Sequence, residues 1–196
     1  TLGGLRIGKP RRERGAEEPI NEQQEWDRDG QYFHYLTKWI HALCQAAFVT
    51  GDSENVRWAR ELAETAFKAF VCRSESGEII GVYWKMSTDL SRLLVPAMGL
   101  HDALDGFITF REVRRAIAKV PIISLEVRGL NHAAEALFAL SRHGEWTTDD
   151  PLGVGGLLFD ACRLCQLICQ GELREFAILE ALIQGCSHGL IFLLQR

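Results

Sequence analysis

The stretch QYFHYLTKWIHALCQAAFV, residues 31–49, decides the class of fold. Its apolar side chains recur at three- and four-residue intervals, which is the period of an amphipathic helix with one buried face. They are Tyr32, Tyr35, Leu36, Trp39, Ile40 and Leu43. The turn Thr50-Gly51-Asp52-Ser53 follows, with a glycine that ends helices and residues that cap helix N-termini. The sequence therefore predicts two consecutive helices joined as a hairpin.

The helical period returns in four later segments. Working outward from the first hairpin, we predict helices over residues 106–119, 129–142, 154–170 and 173–194. Six helices then pair into three hairpins. Residues 79–84, in the long connection after the first hairpin, predict a short strand or an extended strip. We expect an all-α protein, an array of αα-hairpins over residues 26–196, preceded by an extended polar arm over residues 1–25.

Composition excludes some classes of function. The chain is 47% hydrophobic and 24% charged, with a net charge of −4, which is ordinary for a soluble globular protein. Its basic residues form no continuous stripe, so we expect no nucleic-acid partner. The one basic run, residues 9–14, predicts a solvated part of the arm rather than a phosphate-binding patch.

The sequence carries no signal peptide and, by our reading, no stretch that crosses a bilayer. Charged residues interrupt the apolar region after Leu157, which favours a buried helix pair. We therefore expect a cytoplasmic protein with no membrane partner and with reduced cysteines. Cys162, Cys165 and Cys169 share one helix face and predict a thiol-lined core rather than a metal site. We expect no metal and no cofactor.

Three predicted loops carry acidic and aromatic residues. They cover residues 26–30, 89–105 and 146–150, and each precedes an odd-numbered helix. Because hairpins stacked side by side place the N-termini of alternate helices at one end, we expect these loops to lie together. Capping explains part of the acidity, since aspartate accepts backbone hydrogen bonds at helix N-termini.

A sugar-binding cleft is the other interpretation of these loops, because aromatic faces stack on sugar rings and carboxylates bind hydroxyls. Paired carboxylates also perform glycoside hydrolysis. The candidate acid/base residues are Asp27, Asp29, Asp102 and Asp150, and the candidate substrate-binding residues are Trp26, Arg28, Tyr32, Trp84, His101 and Trp146. For Asp105 we slightly favour a structural salt bridge with Arg92.

The sequence also resembles a known group of proteins. The segments GGLRIGKP (3–10), WDRDGQYFHYLTKW (26–39) and DDPLG (149–153) resemble a group of bacterial and archaeal uncharacterised proteins. That group is similar to the six-hairpin glycosidase superfamily, whose fold is an (α/α)6 toroid. The resemblance implies a site at one rim of the toroid, and it assigns no catalytic pair to this chain.

A full toroid has twelve helices, so six helices predict half a ring. Such a half ring is part of a longer chain, or it is open, or it is completed by another copy. Its apolar flank favours a homo-oligomer. Our leading hypothesis is a carbohydrate-active or carbohydrate-binding protein with a sugar or glycan ligand. The alternative is a non-catalytic helical scaffold that self-associates. A metal-binding protein that uses the cysteines is a third hypothesis.

Overall fold

A computed structural model describes residues 6–99, 101–120, 127–142 and 144–195. These residues form seven helices and a small sheet. The helices are α1 Glu22–Glu25, α2 Phe33–Thr50, α3 Ser53–Phe70, α4 Asp102–Lys119, α5 Arg128–Ser141, α6 Pro151–Cys169 and α7 Phe176–Leu194. The strands are β1 Gln31–Tyr32, β2 Val71–Arg73, β3 Ile79–Met86 and β4 Leu93–Met98.

The predicted all-α class is wrong, because the described residues include a four-stranded antiparallel sheet. Three of its strands lie in the connection between α3 and α4, and β1 precedes α2. The central strand, β3, pairs with each of the other three. We expected a single short strand or an extended strip over residues 79–84, because the partner strands carry weak signals. β1 has two residues, β2 continues directly from α3, and β4 contains Pro96. The mixed helix and sheet architecture also removes the basis for an all-α toroid.

The six long helices occur close to their predicted positions. Gly51 ends α2 with φ of 69°, a left-handed conformation that glycine adopts without strain. Asp52 then caps α3 by accepting a hydrogen bond from the backbone N–H of Glu54. α2 pairs with α3, α4 with α5, and α6 with α7. Pro121, which we expected to end the third helix, lies outside the described residues.

α2 and α4 pack side by side and organise the core. Gly106 of α4 faces Phe33 of α2 and Leu137 of α5, and a Cβ at this glycine would lie about 3 Å from both side chains. The glycine therefore allows close packing at the centre of the domain. The N-termini of α2 and α4 lie at the same end, since His34 and Asp102 approach within 3.5 Å.

The N-terminal arm is docked on the domain in its described part. Backbone hydrogen bonds join Ile7 to Gly30, Arg11 to Asp27, and Asp29 to Arg11. Arg14 is 6% exposed, so the expectation of a solvated basic run is wrong for this residue. Residues 1–5 of the predicted arm lie outside the described residues.

A buried ion network holds this arm and the following turn to the sheet. Glu25 is 2% exposed and accepts a hydrogen bond from Arg14 Nε at 2.7 Å. Lys85 of β3 is fully buried, and its Nζ lies 3.6 Å from Glu25 Oε2. The same ammonium donates to the backbone carbonyls of Glu25 and Arg28. Burial lowers the pKa of Lys85, and the neighbouring Glu25 carboxylate opposes that shift.

The C-terminal hairpin differs from its predicted burial. We expected a buried helix pair and a thiol-lined core, but α7 buries only Leu182, Gly185, Cys186 and Gly189. Cys162, Cys165 and Cys169 are all exposed on α6. By length and composition alone, α6 and α7 are each apolar enough to cross a membrane. Two such helices are weak evidence, so a cytoplasmic location stays a prediction.

The buried network predicts a large stability loss for Glu25→Gln. The variant leaves Arg14 and Lys85 buried without a carboxylate, which costs about 3–5 kcal/mol in comparable pairs. Urea unfolding measures the free energy of unfolding. Glu54→Gln is the control, because the Glu54–Arg57 pair is exposed and removing it costs less than about 1 kcal/mol. Equal losses in the two variants would contradict the network.

Candidate functional site: an aromatic platform beside Asp102

Five aromatic rings form a continuous array at the N-terminal end of α2. Trp26 lies against Trp84 with ring centroids 4.5 Å apart, and Trp84 stacks on Tyr32 at 4.7 Å. Tyr32 in turn stacks on His34 at 5.2 Å, and Tyr35 meets both rings edge-on. We call these five residues the aromatic platform. Trp26 is its outermost ring and is 58% exposed.

Each ring of the platform is placed by a different element. Trp26 follows the short helix α1, whose carbonyl at Glu25 is held by Lys85. Trp84 directly precedes Lys85 on β3, where the pairing with β4 is irregular. Tyr32 pairs with Lys85 across β1 and β3 and occupies the N-cap position of α2. Lys85 is therefore linked through the backbone to Trp26, Trp84 and Tyr32.

Asp102 supplies a carboxylate beside the platform. It is 6% exposed and lies in the first turn of α4, where the helix dipole favours negative charge. Its Oδ1 lies 3.5 Å from His34 Nδ1, and its Oδ2 packs close to Gly99. Oδ2 is buried and accepts no hydrogen bond in the described part of the chain. Asp102 is therefore the carboxylate that faces the ring of His34, which is about a third exposed.

Burial also changes the pKa of one residue of the platform. Desolvation, with a smaller contribution from Tyr35, raises the pKa of Tyr32 to about 12. The phenol is therefore a neutral hydrogen-bonding group across the physiological range. The array presents flat apolar faces next to a carboxylate and an imidazole, which suits an uncharged polar ligand with an apolar face.

Three candidate residues of the first loop hold the N-terminal arm. Asp29 Oδ1 accepts the backbone N–H groups of Gly8 and Gly30, and its Oδ2 pairs with Arg6. Arg28 pairs with Glu18 at 2.8 Å. The Asp27 side chain is exposed, and its backbone carbonyl accepts a hydrogen bond from Arg11. Asp29 is therefore a structural anchor of the arm.

The remaining candidates lie around the loop before α6. Asp150 caps α6 by accepting from the backbone N–H of Gly153 at 2.6 Å. Trp146 is 8% exposed, packs against His101 and brings its carbonyl next to Gly185 of α7. Burial lowers the pKa of His101. Trp146 is therefore a core residue in this structure, and its ring offers no open face for stacking.

The structure thus brings Trp26, Tyr32 and Trp84 together next to Asp102, and it places Asp29 and Asp150 in anchoring and capping roles. Sequence reasoning did not single out His34 and Tyr35 as site residues, although both lie in the aromatic stretch that it identified. The expected Arg92–Asp105 salt bridge is wrong. Arg92 pairs with Glu13, and Asp105 contacts Lys38 and Arg163.

A second cluster, not predicted from the sequence, joins α2, α4 and α6. Arg163 is 2% exposed and donates to Asp105, Glu112 and Asp160, while Lys38 and His41 approach from α2. Burial acts to lower the pKa of Arg163, but Glu112 and Asp105 raise it well above its ordinary value. We call these six residues the Arg163 cluster. Its carboxylates are matched by cations, so it ties the three helices together.

Within the Arg163 cluster the two aspartates titrate in opposite directions. Burial, followed by repulsion from Asp105, raises the pKa of Asp160 to about 7. Burial also acts to raise the pKa of Asp105, but Arg163 and Lys38 lower it. Glu112 likewise has a lowered pKa, because His41 and Arg163 outweigh its burial. Of the three carboxylates in this cluster, Asp160 is therefore the one that takes up a proton first as the pH falls.

Comparisons with known proteins assign no function to this site. No protein-family model, no curated protein and no solved structure matches the chain. The resemblance to the six-hairpin superfamily therefore stays a prediction. In the described ranges, no group of three or more His, Cys, Asp or Glu side chains is arranged to hold a metal ion.

The raised pKa of Asp160 predicts that the wild type and Asp160→Asn differ in their free energy of unfolding by an amount that depends on pH. Its pKa is about 7 when folded and near 3.8 in the unfolded chain, so between these values only the folded state keeps the proton. The stabilisation that protonated Asp160 gives to the folded state is complete below about pH 4 and is lost as the pH rises through about 7. The stability advantage of the wild type over the variant should fall by about 2 kcal/mol from about pH 5 to 8. Urea unfolding at several pH values measures it, and a constant difference would contradict the assignment.

Proposed function

We propose that the protein binds a carbohydrate on the aromatic platform, with a pyranose ring stacked on the exposed indole of Trp26. The observation that carries the proposal is the fixed position of this exposed ring. Trp26 is 58% exposed, yet it is held 4.5 Å from Trp84 by a turn whose carbonyls bind Lys85. A surface ring that is already ordered loses little conformational entropy when a ligand stacks on it.

Polar groups next to the platform match the hydroxyls of a sugar. The imidazole of His34 both donates and accepts hydrogen bonds, and its orientation follows from Asp102 at 3.5 Å. The aromatic surface continues past Tyr35 into a shallow depression of about 290 Å³, which is lined by Tyr35, Lys38, Trp39 and Ala42. A chain of several sugar units fits such a surface better than a single monosaccharide, because the rings extend along α2.

The proposed function is to bind a carbohydrate, and it does not include hydrolysis of a glycosidic bond. Glycoside hydrolysis uses two carboxylates across the scissile bond. Of the four candidate aspartates, Asp29 anchors the arm and Asp150 caps α6. Asp102 orients His34 in a platform that needs no second carboxylate to bind a sugar. The proposal therefore assigns Asp102 a positioning role.

Trp26→Ala should abolish most of the carbohydrate binding. Removing a central aromatic side chain from an interface costs about 2 kcal/mol, which corresponds to roughly thirtyfold in Kd. A panel of gluco-, manno-, xylo- and galacto-configured oligosaccharides is first screened by thermal stabilisation of the wild type. The affinity for the best ligand is then measured by calorimetry in both proteins.

Trp58→Ala is the matched control, because Trp58 is 50% exposed on α3, away from the platform. This variant should bind the oligosaccharide with wild-type affinity. A panel that stabilises nothing would overturn the proposal. So would a ligand whose affinity falls equally in the two tryptophan variants.

Asp102→Asn tests the polar side of the platform. The amide keeps the shape but loses the negative charge that attracts His34 Nδ1–H, so the imidazole loses its preferred orientation. We expect a Kd for the selected oligosaccharide that rises about tenfold, or about 1.4 kcal/mol, with the Trp26 stacking unchanged. Calorimetry of Asp102→Asn, His34→Ala and the double variant checks this role. Additive losses, rather than a shared one, would show that Asp102 does not act through His34.

A further inference from the structure

The α6–α7 hairpin presents a large apolar surface to solvent. Nine of its Leu, Ile and Phe side chains are between 39% and 86% exposed. They are Leu152, Leu158, Phe159, Phe176, Ile183, Leu190, Ile191, Phe192 and Leu194. We call this surface the hairpin face. An apolar surface of this extent typically marks a site of association rather than a solvated exterior.

The spacing on α7 is that of a helix-pairing seam. Phe176, Ile183 and Leu190 recur every seven residues, so they lie along one stripe of the helix. On α6, Leu158 and the thiols of Cys162, Cys165 and Cys169 form a parallel stripe at three- and four-residue intervals. Two adjacent stripes with helical periodicity fit another pair of helices.

Charge is almost absent from the hairpin face. The charged residues of α6 are Asp160 and Arg163, and both are buried in the Arg163 cluster. α7 contains one Asp, Glu, Lys or Arg residue, Glu180. A two-fold interface brings the same patch onto itself, so each charge meets a like charge near the axis. A nearly uncharged face avoids this repulsion and is therefore self-complementary.

The area matches that of a stable dimer. Large apolar side chains expose roughly 150–200 Å² each when free, so nine that are about half exposed give on the order of 800 Å². Standard specific interfaces bury about 800 Å² on each partner. The hairpin face thus has enough apolar surface to form the core of one interface.

A lipid surface fits the hairpin less well than a protein surface does. Asp160 and Arg163 lie at the middle of α6, where Arg163 donates to Asp160 and to Asp105 and Glu112 of α4, which holds α6 against the domain. The segments before and between the helices carry a net negative charge, with Glu145, Asp149 and Asp150 before α6, and with Glu172 and Glu175 against Arg174 between α6 and α7. Acidic flanks are repelled by an anionic membrane surface.

We propose that the hairpin face is the interface of a homodimer, in which α6 and α7 of one protomer pack on the same helices of a second copy. The face contains none of the five rings of the aromatic platform, and it meets the depression beside the platform at Phe159, whose ring lies over Lys38. This inference stands independently of the proposed carbohydrate binding.

Sedimentation and light scattering of the full chain test the interface. The wild type should have twice the chain mass of 22.1 kDa. Ile183→Glu and Ile191→Glu should each be monomeric, because the interface would bury a new unpaired charge twice. Ile80→Glu is the matched control, since Ile80 is 47% exposed on β3, outside the face. Circular dichroism verifies that each variant is folded.

The thiols of α6 supply a second readout. Alkylation of Cys162, Cys165 and Cys169 by iodoacetamide should be slower in the wild-type dimer than in Ile191→Glu. A wild type that stays monomeric at micromolar concentrations would overturn the proposal, as would a dimer that persists in both isoleucine variants. A monomer that floats with vesicles of phosphatidylcholine and phosphatidylglycerol would assign the face to lipid and would overturn it equally.

Discussion

The ion pair between Lys85 and Glu25 is the interaction on which the N-terminal half of the structure depends. Both side chains are buried, and Arg14 adds a second cation at 2.7 Å from the same carboxylate. Buried ion pairs contribute little net stability, because desolvation offsets their attraction. The hydrogen bonds that a buried charge makes nevertheless require a defined geometry. Lys85 Nζ also binds the carbonyls of Glu25 and Arg28, so it defines the turn that carries Trp26.

The Arg163 cluster joins α2, α4 and α6 in a similar way, through buried ion pairs. Arg163 binds α4 through Asp105, Thr109 and Glu112. Lys38 of α2 pairs with Asp105, and His41 of α2 pairs with Glu112. Phe159 covers both cations with its ring face. The cluster consequently holds both charged residues of α6 inward, although Leu152, Leu158 and Phe159 of the same helix are exposed. This placement explains why a helix with two central charges presents an uncharged outer surface.

The long helices and part of the site were predicted from the sequence. The three- and four-residue periods located α2 to α7, and the turn at Gly51 and Asp52 was correct, because local chemistry determines these features. β1 and β2 were missed because strands of two and three residues acquire their pairing from β3. The buried roles of Lys85 and Arg163 were missed as well, since an isolated charge in a sequence is usually solvated.

The aromatic platform was predicted in its composition and not in its arrangement. Trp26, Tyr32 and Trp84 were singled out as a stacking surface, and the structure places their rings within 5 Å of a neighbour. Trp146 belongs to the core instead, because its loop packs on Gly185 of α7. Such long-range packing leaves no local pattern in the sequence.

The most direct measurement of the central claim is a titration followed by NMR of the indole N–H groups. The chain has five tryptophans and therefore five such signals. On addition of the oligosaccharide selected by thermal stabilisation, the account predicts that the signals of Trp26 and Trp84 move while those of Trp58 and Trp146 stay in place. Movement confined to Trp58 or Trp146, or no movement at saturating ligand, would contradict it.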